Sequence, residues 1–137
     1  DDAIVCEKFM ERAEEAIINA IKIQGSDVAL NFYFGNRSGF RRDFEEGMKK
    51  GYTIRVRPHW GVAICLPTNR IDQMIKECDQ FAERQDDVRI GKFLINNGIR
   101  IYFPLPSLID HRLGSETKSL VGDIGEDRHA YKFIDSL

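Results

Sequence analysis

The stretch that organises the sequence is Ile99-Arg100-Ile101-Tyr102-Phe103-Pro104-Leu105-Pro106-Ser107-Leu108-Ile109-Asp110-His111-Arg112. Its first five residues are rich in β-branched and aromatic side chains, which predicts a strand over 99–103. Asp110 and His111 then stand where this strand is expected to run out into a loop. Strand ends of this kind are frequent locations of metal and phosphate sites. We therefore expect Asp110 and His111 to belong to a functional site.

The rest of the chain is predicted to form the frame around this stretch. Apolar residues recur at helical spacing in three segments, and strand-like runs occupy four. The predicted helices are 7–23, 68–84 and 87–97. The predicted strands are 28–34, 52–57, 62–66 and 99–103. Residues 41–50 are expected to form one or two helical turns, interrupted by Gly47. Strands that alternate with helices indicate one α/β domain over residues 1–137, a mixed sheet flanked by helices.

Composition and charge narrow the class of protein. The 137 residues are 42% hydrophobic and 31% charged, as in a globular protein with a core, and the formal net charge is -2. The lack of a basic excess argues against a dedicated nucleic-acid binder. A cluster of arginine and lysine residues between positions 37 and 57 is interpreted as a solvated face.

The cysteines and the hydropathy bear on the compartment. Cys6, Cys65 and Cys78 lack the spacing of metal ligands and are interpreted as buried free thiols of a reducing compartment. No apolar run approaches the roughly 18 residues that span a bilayer. We therefore expect a cytoplasmic protein without a membrane span. The chain starts without an initiator methionine, and we expect upstream sequence to be missing.

Two acidic pairs are candidates for chemistry. Asp1-Asp2 supplies oxygen ligands of the kind that Mg²⁺ and Mn²⁺ prefer, although a terminal pair is more often simply solvated. Asp86-Asp87 opens a predicted helix, where aspartate caps the helix and interacts favourably with its dipole. One member of this pair remains a candidate general base.

Aromatic and histidine residues complete the candidate set. Trp60-Gly61 lies between two strand-like runs, and the glycine permits close approach of another group to the backbone. Trp60 or His59 is suited to stack on a sugar or base, with a core tryptophan as the plainer alternative. His111 is a candidate ligand because it follows Asp110. His129 has no companion motif and receives no role.

In this order, the motifs resemble the catalytic half of GT-A-fold glycosyltransferases, in particular the small, family 2-like enzymes of phages and prophages. The carrying residues are Asp1-Asp2, Trp60-Gly61, Gln85-Asp86-Asp87 and the stretch from Pro106 to Arg112. The family combines an Asp-x-Asp metal motif, a glycine-containing acceptor loop, an x-Glu-Asp motif with the catalytic base, and a C-terminal histidine that reaches the metal. The resemblance covers nearly the whole chain and is strongest over 86–112.

By position, the resemblance assigns a role to each candidate. Asp2 and Asp1 match the metal motif, and His111 matches the C-terminal histidine. Asp87 matches the catalytic base and Asp86 the acidic residue before it, where the family has Glu. The matching substrate-binding residues are Trp60, Gly61 and Asp110. The family's N-terminal half, which binds the nucleotide, has no counterpart here, so the chain alone is expected to bind a nucleotide sugar poorly.

The resemblance implies transfer of a sugar, with inversion, from a nucleotide-sugar donor to an acceptor hydroxyl, assisted by Mn²⁺ or Mg²⁺. The acceptor is left open among a glycan, a protein and a modified nucleic acid. Two alternatives remain: a non-catalytic fragment or interaction module of GT-A-like fold, and a metal-dependent phosphoester hydrolase. We further expect Asp2, Asp87 and His111 to lie on one face of the sheet, around one cleft.

Overall fold

A computed structural model describes residues 3–36, 38–58, 63–111 and 129–136. The strands are β1 (Ala3–Val5), β2 (Val28–Asn31), β3 (Tyr52–Arg55), β4 (Ile64–Cys65), β5 (Arg100–Pro104) and β6 (Ile109–His111). The α-helices are α1 (Phe9–Gln24), α2 (Arg41–Lys50), α3 (Ile71–Cys78) and α4 (Asp86–Asn96). Short 3₁₀ turns cover Ser38–Phe40, Thr68–Arg70 and Ile134–Ser136. The protein is thus a small α/β protein with a mixed sheet, as the sequence predicted.

The main sheet has four strands in the order β3-β5-β2-β4. β2 and β5 are parallel, whereas β3 pairs antiparallel with β5 and β4 antiparallel with β2. β1 and β6 form a separate antiparallel ribbon. Because β2 and β5 are parallel, the chain leaves both strands at the same edge of the sheet, which we call the carboxyl edge.

The core lies on both faces of this sheet, as the period-two alternation of strands requires. Leu30 and Tyr102 pack with α1 in one cluster. Ile101 and Phe103 pack with Phe93 of α4 in the other. Helix α1 therefore covers one face of the sheet, and α4 covers the opposite face.

The predicted helix over 68–84 is shorter in the structure. It begins as a 3₁₀ turn and continues as α3 only to Cys78. At that end Arg89 Nε of α4 donates a hydrogen bond to the Cys78 carbonyl at 2.8 Å. The carbonyl groups at a helix end need partners from outside the helix, and α4 supplies one here. The predicted strand over 28–34 is shortened to β2, and the one over 52–57 is shortened to β3. Of the strand predicted over 62–66, residue 62 lies outside the described residues, and β4 covers Ile64–Cys65.

The three cysteines are free, as predicted. Cys6 is buried, whereas Cys65 and Cys78 are half-buried. Burial raises the pKa of each of these thiols, so each remains protonated at neutral pH. In the described part of the chain, no helix combines the length and the apolar character needed to cross a membrane.

Candidate functional site

The carboxyl edge is built from four chain segments that are linked by hydrogen bonds. Phe32 N–H, just after β2, donates to the Ala63 carbonyl at 3.1 Å, and the Phe32 carbonyl accepts from Leu108 N–H at 2.9 Å. Phe34 N–H donates to Ser107 Oγ at 3.0 Å. The segment 129–136, called here the C-terminal segment, joins through Ser107, whose N–H donates to the Lys132 carbonyl at 2.9 Å. Ligands of open α/β sheets bind outside the carboxyl ends of the strands, so this edge is where a site is expected.

The Asp110 side chain has hydrogen-bond partners at both of its carboxylate oxygens. Its Oδ1 accepts hydrogen bonds from the backbone N–H groups of Ala130, at 2.7 Å, and His111, at 2.8 Å. His129 Nδ1 lies 3.2 Å from its Oδ2. The Asp110 side chain is only 16% exposed, and that of His129 is 32% exposed. Partners at both carboxylate oxygens fix the orientation of this side chain.

The Asp110–His129 pair is the part of the site that the sequence did not reveal. His129 received no role because nothing near it in the sequence marks a motif. A carboxylate beside Nδ1 orients the ring and favours the proton on that nitrogen. Tyr33, fully buried, extends the arrangement: its hydroxyl group lies 3.4 Å from the His129 carbonyl, and its ring meets the His111 ring edge-on at 5.1 Å.

Asp110 and His111 are the last two residues of β6 and do not lie in a loop, and His111 is 8% exposed. The β1–β6 register sets Ala3 directly opposite His111. Ala3 is the residue that follows Asp1-Asp2 in the sequence. The proposed metal ligands Asp1 and Asp2, and the proposed substrate-binding residues Trp60 and Gly61, lie outside the described residues, as does His59.

Asp86 and Asp87 occupy the first turn of α4, after the N-cap residue Gln85. They do not cap the helix. Asp87 is half-buried, and its Oδ1 accepts a hydrogen bond from Val88 N–H at 2.9 Å. The Asp86 side chain is 90% exposed and lies 3.9 Å from Arg89. The geometry thus distinguishes the two carboxylates, because only Asp87 is partly enclosed.

Asp87 and His111 were expected on one face of the sheet, but the elements that carry them pack with different core clusters. α4 packs with the cluster around Phe103, whereas Tyr33 and Ile109, beside His111, belong to the cluster under α1. A helix that packs on the strand it leads into runs opposite to that strand, so the first turn of α4 points toward the carboxyl edge. A cleft shared by Asp87 and His111 therefore has to lie at the carboxyl edge, beyond the strand ends.

The described residues do not by themselves form a metal centre. Across residues 3–36, 38–58, 63–111 and 129–136, no three His, Cys, Asp or Glu side chains are grouped so that they would hold a metal ion. A metal site that used the imidazole of His111 would need further ligands from elsewhere in the chain.

Compared with known proteins, the chain matches no protein-family model, no curated protein and no solved structure.

Proposed function

We propose that the protein is a glycosyltransferase of GT-A-like fold that moves a sugar from a nucleotide-sugar donor to an acceptor hydroxyl, with inversion. The observation that carries the proposal is the β1–β6 register, with Ala3 opposite His111. Ala3 follows Asp2 directly in the sequence. This supports a site shared by the acidic pair Asp1-Asp2 and His111.

The donor set of this site suits a divalent cation. Carboxylate oxygens favour Mg²⁺ and Mn²⁺, and an added imidazole nitrogen shifts the preference toward Mn²⁺. Asp2, Asp1 and His111 would hold the ion. When bound, such an ion stabilises negative charge on the diphosphate leaving group.

Side chains of α4 and β6 carry out the remaining steps of the mechanism. Asp87, half-buried in the first turn of α4, takes the proton from the acceptor hydroxyl, which attacks the anomeric carbon in a single displacement. Asp86 is assigned the lesser role of orienting the site. Asp110, held by the N–H groups of residues 111 and 130, fixes the backbone beside His111 and binds substrate hydroxyls. Trp60 and Gly61 complete the acceptor side of the proposal.

The test compares Asp87→Asn with Asp86→Asn, each in the full-length protein, in a nucleotide-sugar transfer assay. Loss of the general base should lower turnover by roughly 10²–10⁴-fold in Asp87→Asn and much less in Asp86→Asn. Binding of Mn²⁺, followed through paramagnetic broadening of the Ala3 and His111 amide resonances, should be unchanged in both variants. The same broadening should disappear in His111→Ala.

Three results would contradict the proposal in different ways. Full activity of both variants excludes the mechanism. A dead Asp86→Asn beside an active Asp87→Asn reverses the assignment of the base. No broadening at Ala3 and His111 removes the metal site and favours the non-catalytic alternative.

A further inference from the structure

A cavity of about 710 Å³ opens at the carboxyl edge, next to the C-terminal segment. Its walls come from the loop after β2, from the first two turns of α2 and from the C-terminal segment. The lining residues are Asn36, Arg41, Phe44, Glu45 and Tyr131. None of these residues is a proposed metal ligand or the proposed base, so the cavity is separate from those positions.

The cavity has an aromatic wall. The rings of Phe44 and Tyr131 are stacked, with centroids 4.7 Å apart and planes 15° from parallel. Both side chains are half-buried, so they are held by the core and still reach the surface. The outer face of this stacked pair offers a flat apolar surface at little entropic cost. The C–H face of a pyranose ring is a ligand surface that matches it.

Among the lining residues that the structure describes, Arg41 is the one cation and Glu45 the one anion. Arg41 Nε donates to Glu45 Oε1 at 2.9 Å, so these two charges are paired. Asn36 adds a neutral amide. A nucleoside diphosphate carries several negative charges and would call for an excess of cations. A neutral ring with hydroxyl groups instead matches paired carboxylate, guanidinium and amide groups, which donate and accept hydrogen bonds side by side.

The cavity is joined to Asp110 through the backbone. Asn36 N–H donates to the His129 carbonyl at 2.9 Å, and Tyr131 N–H donates to the Phe34 carbonyl at 3.0 Å. The residue between His129 and Tyr131 is Ala130, whose N–H bonds Asp110. A ligand that contacts Tyr131 therefore lies next to Ala130, the residue whose N–H group binds the Asp110 carboxylate.

We propose that this cavity binds a neutral saccharide, with one ring against the outer face of the stacked Phe44–Tyr131 pair and its hydroxyl groups on Glu45, Arg41 and Asn36. The assignment of this saccharide as the acceptor rests on the proposed glycosyltransferase activity. It selects a glycan over the protein and nucleic-acid acceptors that the sequence left open.

The test is an amide-resonance titration of the protein with a panel of neutral oligosaccharides built from glucose, galactose, mannose and N-acetylglucosamine. At least one panel member should shift the Asn36 and Tyr131 resonances in a saturable way. The decisive variants are Glu45→Gln and its matched control Glu46→Gln. Arg42 and Glu46 form the same i,i+4 pair on α2 but do not line the cavity, so both changes remove an equivalent exposed ion pair.

Glu45→Gln should weaken saccharide binding by about tenfold, the loss expected for one charge-assisted hydrogen bond, and Glu46→Gln should leave binding unchanged. Equal effects of the two variants, or no binding by any panel member, would overturn the proposal. So would shifts of Tyr131 caused by a nucleotide sugar and not by a saccharide, which would make the cavity a donor site.

The outcomes also separate this inference from the activity on which the acceptor role rests. Saccharide binding at Tyr131 in a protein that transfers no sugar supports the cavity and contradicts the proposed function. Transfer with the same acceptor KM in Glu45→Gln and Glu46→Gln supports the proposed function and contradicts the cavity as acceptor site.

Discussion

At the scale of single residues, Asp110 shows how a local signal and a distant partner combine. The sequence marks it through its position after a strand and beside His111. The fold then places the Ala130 N–H group at one carboxylate oxygen and His129 Nδ1 at the other, which makes Asp110 a stronger candidate for a functional residue. A histidine without a local motif thus becomes informative only once its partner is known.

The substitution Asp110→Asn should lower the free energy of unfolding by about 1–3 kcal/mol, the range for a largely buried acceptor that loses charge-assisted bonds. The amide keeps one oxygen for the two backbone N–H groups but loses the negative charge opposite His129. Urea unfolding measures the change. Glu14→Gln, on the exposed side of α1, is the control and should stay within about 0.5 kcal/mol. Equal stability of the two variants would show that the Asp110 bonds contribute nothing net.

At the scale of elements, helix α2 is continuous where the sequence predicted an interruption. Gly47 was predicted to interrupt the helix, yet α2 runs unbroken from Arg41 to Lys50. A Cβ atom at position 47 would lie 2.6 Å from Leu105 Cδ1 and 3.1 Å from both Thr53 Cβ and the Tyr52 carbonyl oxygen. The glycine therefore allows α2 to pack closely on β3 and on the chain after β5. Its cost in helix propensity is offset by this contact.

Gly47→Ala should consequently destabilise the protein although alanine is the better helix former. The propensity gain is about 1 kcal/mol, whereas overpacking costs about 1–3 kcal/mol, so a net loss of about 1 kcal/mol is expected. Chemical denaturation of this variant is compared with that of Gly39→Ala, where an added Cβ meets no atom within 4 Å. If Gly47→Ala were the more stable of the two, the packing argument for α2 would fail.

At the scale of the whole molecule, burial links the thiols to the pH dependence of stability. Desolvation by burial raises the pKa of Cys6, Cys65 and Cys78, and it also raises the pKa of Tyr102. In the unfolded chain these groups ionise at their ordinary pKa values. As the pH rises through those values, the unfolded state releases protons that the folded state retains.

Stability should therefore be constant up to the ordinary thiol pKa and should fall above it, by at most about 1.4 kcal/mol per pH unit for each retained proton. Urea unfolding at about pH 7.5 and about pH 9.5 tests this. A variant with alanine at all three cysteine positions should lose less stability over the same interval. An identical decline in both proteins would rule out the thiols as its cause.

The sequence by itself determined the α/β class, α1 and the main strands, and it supplied the candidate pair Asp110-His111. These features depend on periodicity and residue type over short stretches, which neighbours along the chain decide. The tertiary structure alone decided that Ala3 stands opposite His111, that His129 contacts Asp110 and that Asn36, Phe44 and Tyr131 line one cavity. These contacts join residues that are far apart in the sequence, so they depend on how the core packs distant segments together. No local pattern specifies which distant residue a side chain will contact.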